Sequence, residues 1–192
     1  MNSVTIKRKT TEVDIVVTLE LNRNGTSKIN TSLGFFDHLL VTLAKHAQFD
    51  LEVTAKGDLK HHIIEDVGIC IGQALKESLN TKSGLTRFGF QYIPMDDALT
   101  RAVVDISGRP YFRMNEVTLN GFVEEIPVED LKHFLEVLAL QAQITLHVDI
   151  LTGNNTHHVI EAVFKALAHA LRKAVTIRPD LDKKILSTKG TL

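Results

Sequence analysis

The stretch HHIIE at residues 61–65 returns as HHVIE at residues 157–161, half a chain length later in a protein of 192 residues. Each copy brings two histidines and a glutamate, which are side chains that bind metal ions in proteins. Both copies also follow a glycine by four residues, Gly57 in the first case and Gly153 in the second. The repetition predicts an internally duplicated chain with one metal-binding segment in each half.

Matching segments surround the two copies on both sides. Upstream, residues 49–55 and 145–151 alternate between apolar and polar side chains, a pattern typical of strands. Downstream, apolar residues recur at helical spacing over 65–79 and over 161–174. Each copy is therefore expected at the junction between a strand and an amphipathic helix.

Two further helices are predicted over 36–44 and 131–139, and each has one histidine near its start. Alternating patterns predict additional strands, which cover 12–21, 85–93, 99–106 and 115–122. Each half then follows the order strands, helix, strand, helix.

This order predicts an α+β fold in which an internally duplicated unit forms two four-stranded sheets enclosing a helical layer. The change from one half to the other is placed near residues 92–96. The half-repeats are therefore expected at 1–93 and 94–192, and together they form one compact domain.

Composition argues against several other classes of protein. The formal net charge of −1 gives no support for a nucleic-acid partner, and 44% hydrophobic with 23% charged residues is ordinary for a globular protein. No apolar run approaches the ~20 residues of a membrane span, and the start of the chain has no apolar signal segment. Cys70 is the only cysteine, so no intramolecular disulfide can form and a cytoplasmic location is expected.

The spacing inside each copy predicts how the metal ligands divide. On a helix, His61 and Glu65 are about one turn apart and share a face, whereas His62 lies about 100° further round. Adjacent imidazoles do not easily bind the same ion, so we expect each of them to bind a different ion. Pseudo-twofold symmetry then predicts two crossed sites, formed by His61, Glu65 and His158 and by His157, Glu161 and His62.

His38 and His133, the histidines of the two upstream helices, are candidates for a fourth ligand in each site. Three imidazoles and one carboxylate leave positions open on an octahedral ion, as in catalytic metal sites. This ligand set alone permits manganese, iron, zinc or nickel. His46 follows His38 by about two helical turns and could face the same site. His147 and His169 have no counterpart in the repeat and are expected to be structural.

The chain resembles the imidazoleglycerol-phosphate dehydratase family over nearly its whole length, from about residue 8 to residue 189. The resemblance rests on six motifs: GFFDHLL (34–40), HHIIEDVG (61–68), YIPMDD (92–97), DISGRPY (105–111), GNNTHHVIEA (153–162) and STKG (187–190). One departure is the loop at 57–60, which is shorter than usual and lacks the aspartates that often directly precede the first histidine pair. Another is Val41-Thr42, where the family often has Asp-Gln.

This resemblance implies a carbon–oxygen lyase of histidine biosynthesis, which converts D-erythro-imidazoleglycerol phosphate to imidazole acetol phosphate with two Mn²⁺ per active site. It also implies that each half is similar to domain 2 of ribosomal protein S5. The substrate's imidazole has two nitrogens, and two open metal sites could take one each. Loss of the hydroxyl next to the ring and of a proton from the following carbon would give an enol, which becomes the ketone product.

The resemblance further implies roles for residues outside the repeated stretches. The substrate's phosphate would be bound by Arg87, Arg109, Ser187 and Lys189, with Lys165 close by. Arginine forks suit phosphate oxygens. His38 and His46 are expected to contact the substrate as well.

A glutamate is expected to move the proton, and three candidates stay open. The family places Glu12 near the substrate, while Glu65 and Glu161 could shuttle a proton and contact a metal at the same time. General-base help of this kind contributes about 10²–10⁴-fold in rate.

The family also implies a homo-oligomer, a 24-subunit cage built from trimers with metal sites shared between subunits, so the crossed pairs could be intermolecular. Two alternatives come from other classes of protein. A non-catalytic metal-binding shell is one, although ferritin-like proteins use Glu-x-x-His words on four long helices. A nucleic-acid module is the other, since similar sheet-and-helix units occur in ribosomal proteins, but the balanced charge argues against it.

Overall fold

The computed structural model of the chain describes residues 3–79, 82–115, 119–181 and 184–192. The first half contains β1 (Val4–Lys9), β2 (Val13–Glu20), β3 (Ser27–Asn30), α1 (Gly34–Ala47), β4 (Asp50–Gly57) and α2 (Lys60–Leu79). The second half contains β5 (Phe88–Met95), β6 (Ala98–Asp105), β7 (Tyr111–Met114), β8 (Phe122–Val123), β9 (Ile126–Pro127), α3 (Val128–Ala142), β10 (Thr145–Thr152) and α4 (Thr156–Ala174). A short 3-10 turn at Pro179–Leu181 follows α4.

The two main sheets have the same strand order, β1-β2-β4-β3 in the first half and β5-β6-β10-β7 in the second. In each sheet the last two strands run parallel and the other neighbours run antiparallel. The strands alternate in burial because one face packs on the helices, as β2 shows along its whole length. Identical topology in consecutive halves confirms the predicted α+β fold with two four-stranded sheets.

The helices of both halves share one core. α2 packs on β1 and β2 and against α3, while α4 packs on β5 and β6 and against α1. At the centre, the buried ring of Phe134 meets Phe36 edge-on at 5.3 Å between centroids and stacks on Phe164 at 5.6 Å. These rings come from α1, α3 and α4, so the contact joins the two halves.

Local hydrogen bonds and backbone conformation explain where α4 begins and where α1 and α3 end. Asn155 begins α4, because its side-chain oxygen accepts hydrogen bonds from the backbone N–H groups of His157 and His158. α1 and α3 end alike, at Gln48 and Gln143, which both have a left-handed φ of 54°. The cap at Asn155 fixes the first turn of α4, which carries the second histidine pair.

The strand predicted from residue 85 begins later, at Phe88. Arg87 has a positive φ of 71°, which breaks the extended run before that point. All eight residues of β5 pair with β6. Residue 93, the predicted boundary between the halves, therefore lies inside a strand of the second sheet, and the passage between the sheets comes before β5.

The strand predicted at 115–122 falls partly on residues 116–118, which lie outside the described residues. β7 ends at Met114, and the hairpin formed by β8 and β9 begins at Phe122. The first half connects β3 to α1 through residues 31–33 without such a hairpin. Within the described ranges, no helix combines the length and apolar character needed to cross a bilayer.

Candidate active site

A cluster of possible metal ligands lies where α2 meets α3, and we call it the α2–α3 cluster. His61 and Glu65 share one face of α2, with Nε2 and Oε2 3.5 Å apart. His133 approaches from α3 and places its Nε2 3.4 Å from Oε1 of Glu65. The three ligand atoms lie within 4.8 Å of one another. Two imidazoles and a carboxylate at these distances suit a divalent transition metal.

The α1–α4 cluster repeats this arrangement with His38, His157 and Glu161. Oε2 of Glu161 lies 3.4 Å from Nε2 of His157 and 3.2 Å from Nε2 of His38. These ligand atoms also lie within 4.8 Å of one another. Glu161 is 9% exposed, whereas about half of the His38 side chain is exposed. The cluster therefore has a buried carboxylate and an open side.

The two halves exchange one ligand each. α1 belongs to the first half and brings His38 to the histidine pair of the second half. α3 belongs to the second half and brings His133 to the pair of the first half. Both residues predicted as additional ligands thus join the histidine pair of the opposite half, and the sequence alone does not indicate which pair each would join.

The predicted crossing of His62 and His158 does not form within one chain. Nδ1 of His62 lies 2.7 Å from Asp58, and Nδ1 of His158 lies 2.7 Å from Asp97. Among the described residues, neither ring belongs to a three-residue cluster. Adjacent rings do diverge, as the helical spacing predicted, but α2 packs against α3 and α4 against α1, so the two pairs do not face each other.

A carboxylate oxygen lies 3.0 Å or less from Nδ1 in two of the cluster histidines. Nδ1 of His61 is 2.8 Å from Oδ1 of Asp130, and Nδ1 of His157 is 3.0 Å from Oε1 of Glu124. When Nδ1 donates to a carboxylate, the ring is held with Nε2 unprotonated and facing the cluster. Histidines that bind metals usually have such partners, so the donor set and its surroundings fit a metal ion.

No role was predicted from the sequence for these supporting carboxylates. Asp58 lies in the shortened loop and still provides an acceptor for the first histidine pair. Asp97 ends the motif at 92–97, which was the one available signal for it. Asp130 and Glu124 lie outside the repeated HHIIE and HHVIE stretches, so no sequence pattern indicated them.

Hydrogen bonds shift the pKa values around the second histidine of each pair. The backbone N–H of Asn155 and that of its preceding neighbour, together with His158, hold the pKa of Asp97 far below its usual range. A hydrogen bond with His62 lowers the pKa of Asp58, and this carboxylate in turn raises the pKa of His62. Asp58 and Asp97 are therefore ionised acceptors at neutral pH.

Comparison with known protein families places the chain in one of them. The sequence profile described as imidazoleglycerol-phosphate dehydratase matches residues 31–171, a range that includes both clusters. The chain belongs to the imidazoleglycerol-phosphate dehydratase family.

Relatives and solved structures named as imidazoleglycerol-phosphate dehydratases match nearly the whole chain. The protein of Clostridium kluyveri is 46% identical over 193 residues, with 97% of each chain covered, and that of Rhodopseudomonas palustris is 46% identical with 100% and 99% covered. The Staphylococcus aureus structure superposes with a TM-score of 0.85 at 38% identity, covering 92% of this chain and 99% of its own. The Pyrococcus furiosus structure gives 0.85 at 40% identity, covering 97% and 100%.

Four residues that the dehydratase resemblance assigns to phosphate binding line one open groove: Arg87, Arg109, Ser187 and Lys189. The groove lies between the start of β5 and the C-terminal segment. Nε of Arg87 is 2.8 Å from Oδ1 of Asp105, and its guanidinium also donates to the backbone carbonyl of Leu186. Two guanidinium groups, an ammonium and a hydroxyl suit a phosphate dianion.

Lys165 joins the α1–α4 cluster rather than the groove. Its Nζ lies 2.8 Å from Oε1 of Glu161. Burial alone would raise the pKa of Glu161, but hydrogen bonds with Lys165 and His38 outweigh burial and lower it. This carboxylate is therefore held in its ionised, metal-binding form.

The remaining predicted substrate contacts lie apart from the ligand clusters. Nδ1 of His46 lies 3.2 Å from Nε2 of His169, the residue expected to be structural. Burial lowers the pKa of both imidazoles. Glu12 lies in the turn before β2, and its Oε2 is 4.0 Å from Nδ1 of His62.

Proposed function

We propose that this chain dehydrates imidazoleglycerol phosphate to imidazole acetol phosphate, as a hydro-lyase of histidine biosynthesis. The observation that carries the proposal is the pair of His/Glu clusters in a member of the dehydratase family. The cationic groove supports it, because it offers a place for the phosphate of such a substrate.

The proposal includes two Mn²⁺ per active site, one in the α2–α3 cluster and one in the α1–α4 cluster. When bound, such ions supply Lewis acids that polarise the substrate's imidazole ring. The chain's own contribution is to fix the ligand rings. Asp130 and Glu124 do this by holding Nδ1 of His61 and of His157.

Glu12 is the proposed base. The carboxylates of Glu65 and Glu161 lie inside the clusters, where a metal would occupy their oxygen lone pairs. Glu12 lies outside both clusters, about half exposed and next to His62. It would accept the proton from the carbon beside the one that loses its hydroxyl. The C–H and C–O bonds break, the hydroxide leaves and is balanced as water by the proton that Glu12 accepted, and the resulting enol becomes the ketone.

The proposed phosphate contacts are the four groove residues, with Arg109 and Lys189 supplying cations beside the Arg87–Asp105 pair. Lys165 would act from the α1–α4 cluster, next to the carboxylate of Glu161. His46, near the end of α1, is proposed to contact the substrate.

His62 and His158 support an active site shared between copies of the chain. Each has its Nδ1 next to a carboxylate, as His61 and His157 do, but neither joins a cluster formed by the described residues of its own chain. We therefore infer that a neighbouring copy supplies His158 to the α2–α3 cluster and His62 to the α1–α4 cluster. A 24-subunit cage built from trimers, located in the cytoplasm, is the assembly proposed.

A turnover assay with imidazoleglycerol phosphate and Mn²⁺ tests the function. The loaded protein should form the ketone, and exhaustive chelation should stop it. Glu12→Gln should retain the bound metal and lose about 10²–10⁴-fold in rate, whereas Glu20→Gln, at the partly exposed partner of Arg23, should keep the wild-type rate.

Three results would contradict parts of this proposal. No ketone from the loaded protein would reject the dehydratase. Tight metal binding without turnover would favour the non-catalytic shell. Unchanged turnover after complete metal removal would reject the metal requirement.

A further inference from the structure

The two clusters are not equivalent, although the duplication gives their ligands equivalent positions. The difference lies three residues before the histidine that α3 contributes to one cluster and α1 contributes to the other. Asp130 precedes His133 on α3, and Phe35 precedes His38 on α1. Residues three apart are neighbours on a helix face, so each side chain reaches the cluster in which its histidine lies. A carboxylate contacts one cluster at this point and an apolar ring contacts the other.

Asp130 holds His61 from a nearly buried position. Its Oδ1 lies 2.8 Å from Nδ1 of His61, and only 7% of the residue is exposed. About half of the His61 side chain is exposed, so the shielding of this charge-assisted hydrogen bond comes from the Asp130 side and strengthens it there. The bond keeps the ring stacked on His133, with an angle of 10° between the planes, and Nε2 directed at Glu65. This hydrogen bond therefore orients the His61 ligand of the α2–α3 cluster for a metal.

His157 in the α1–α4 cluster has weaker support. The Phe35 ring lies 4.8 Å from the His157 ring and provides no acceptor for Nδ1. The acceptor is instead Glu124 in the β8–β9 hairpin, whose side chain is 54% exposed, so water competes for the hydrogen bond.

A cation also lies beside the ligand carboxylate of the α1–α4 cluster. Nζ of Lys165 is 2.8 Å from Oε1 of Glu161. An ammonium at this distance neutralises part of the charge that would attract a metal and repels the incoming cation. In the α2–α3 cluster, the carboxylate of Glu65 faces the two imidazoles of His61 and His133.

We propose that Asp130 is a positioning residue that makes the α2–α3 cluster the tighter metal site, so that this cluster fills before the α1–α4 cluster. The inference rests on the metal-binding part of the proposed function and adds an order of loading to it.

Crystals of the whole wild-type protein grown with one Mn²⁺ per chain test the order directly. Anomalous scattering should give a higher metal occupancy at the α2–α3 cluster. Equal occupancy, or a preference for the α1–α4 cluster, would overturn the proposal. The measurement needs neither a variant nor turnover.

Asp130→Asn and Glu129→Gln form a matched pair for solution titrations with Mn²⁺ followed by electron paramagnetic resonance. Both changes remove a negative charge from the first turn of α3, and Glu129 is exposed. Asp130→Asn should weaken the tighter class of sites by about 10- to 100-fold, leave the other class unchanged and be rescued by excess Mn²⁺. Glu129→Gln should change neither class.

Equal weakening of both classes by Asp130→Asn, or no weakening, would overturn the role of Asp130. Because these titrations measure metal binding alone, they can fail while the dehydratase assay succeeds. A wild-type chain that binds no Mn²⁺ would reject both the order of loading and the metal-dependent function.

Discussion

Nε2 of His38 on α1 lies 3.2 Å from Oε2 of Glu161 on α4, so a residue of the first half completes the ligand cluster of the second. His133 makes the reciprocal contact with Glu65 at 3.4 Å. Each cluster therefore requires both halves of the duplicated chain. The shared helical core provides this arrangement by packing α1 on α4 and α2 on α3.

Replacing His38 should affect one of the two metals. At a fixed Mn²⁺ concentration just sufficient to fill both sites of the wild type, we expect His38→Ala to lower the bound metal from about two to about one per chain, since a lost ligand weakens the α1–α4 cluster alone. His147→Ala is the control, because His147 packs beside Tyr111 on the second sheet and belongs to neither cluster. Elemental analysis of desalted protein gives the stoichiometry. Two metals per chain in His38→Ala would refute the ligand assignment.

Sharing of ligands between copies predicts complementation between two inactive variants. His62→Ala removes the ligand that one copy offers, and Glu161→Gln damages the cluster that receives it. When the two metal-free proteins are mixed and then loaded with Mn²⁺, some α1–α4 clusters regain all wild-type ligands, so activity should return. The turnover rate of the mixture is compared with that of each variant loaded alone. A mixture as inactive as its parents would argue against shared sites.

The groove predicts that phosphate affinity can be lost without loss of metal. Arg109→Ala removes charge-assisted hydrogen bonds worth about 1.5–3 kcal/mol, so inhibition by inorganic phosphate should weaken by roughly 10-fold or more. Arg87→Ala should also lower the stability, because it leaves Asp105 without its 2.8 Å partner. Arg23→Ala, which breaks an ion pair with Glu20 just after the end of β2, should change neither property. Unchanged phosphate inhibition in Arg109→Ala would exclude this groove.

The secondary structure and the ligand types could be predicted from sequence because both are local properties. Burial of one face imposes the periodicity of strands such as β2, and the repeated HHIIE and HHVIE stretches contain most of the ligands. The grouping of the ligands was not predictable, because it depends on which helices pack together. Asp130 could not be found for the same reason, since it lies 69 positions from His61 and no motif connects them.

The His46–His169 pair predicts that stability depends on pH. Burial lowers the pKa of both imidazoles in the folded chain, and the positive charge of nearby Lys165 acts in the same direction on His46. As the pH falls below about 6.5, the unfolded state takes up protons that the folded state does not bind, so the free energy of unfolding decreases. In His169→Gln this decrease should be smaller, because one titrating ring is gone and the other loses an imidazole neighbour.

Urea unfolding of the metal-free protein at about pH 7.5 and about pH 5.5 measures this dependence. His147→Gln, on the second sheet, should retain the wild-type dependence. An identical decrease in His169→Gln and the wild type would contradict the predicted linkage.

Close packing of α2 against α3 predicts a loss of both stability and metal affinity in Gly72→Ala. A Cβ atom at Gly72 would lie 2.7 Å from the backbone oxygen of Leu138, too close for α3 to stay in place. Alanine gains about 1 kcal/mol in helix propensity, but overpacking costs about 1–3 kcal/mol, and the displacement of α3 would draw His133 away from His61. Gly34→Ala is the control, since its nearest neighbour is 3.9 Å away. Urea unfolding and Mn²⁺ titration should show both losses in Gly72→Ala alone, and wild-type values there would disprove the steric argument.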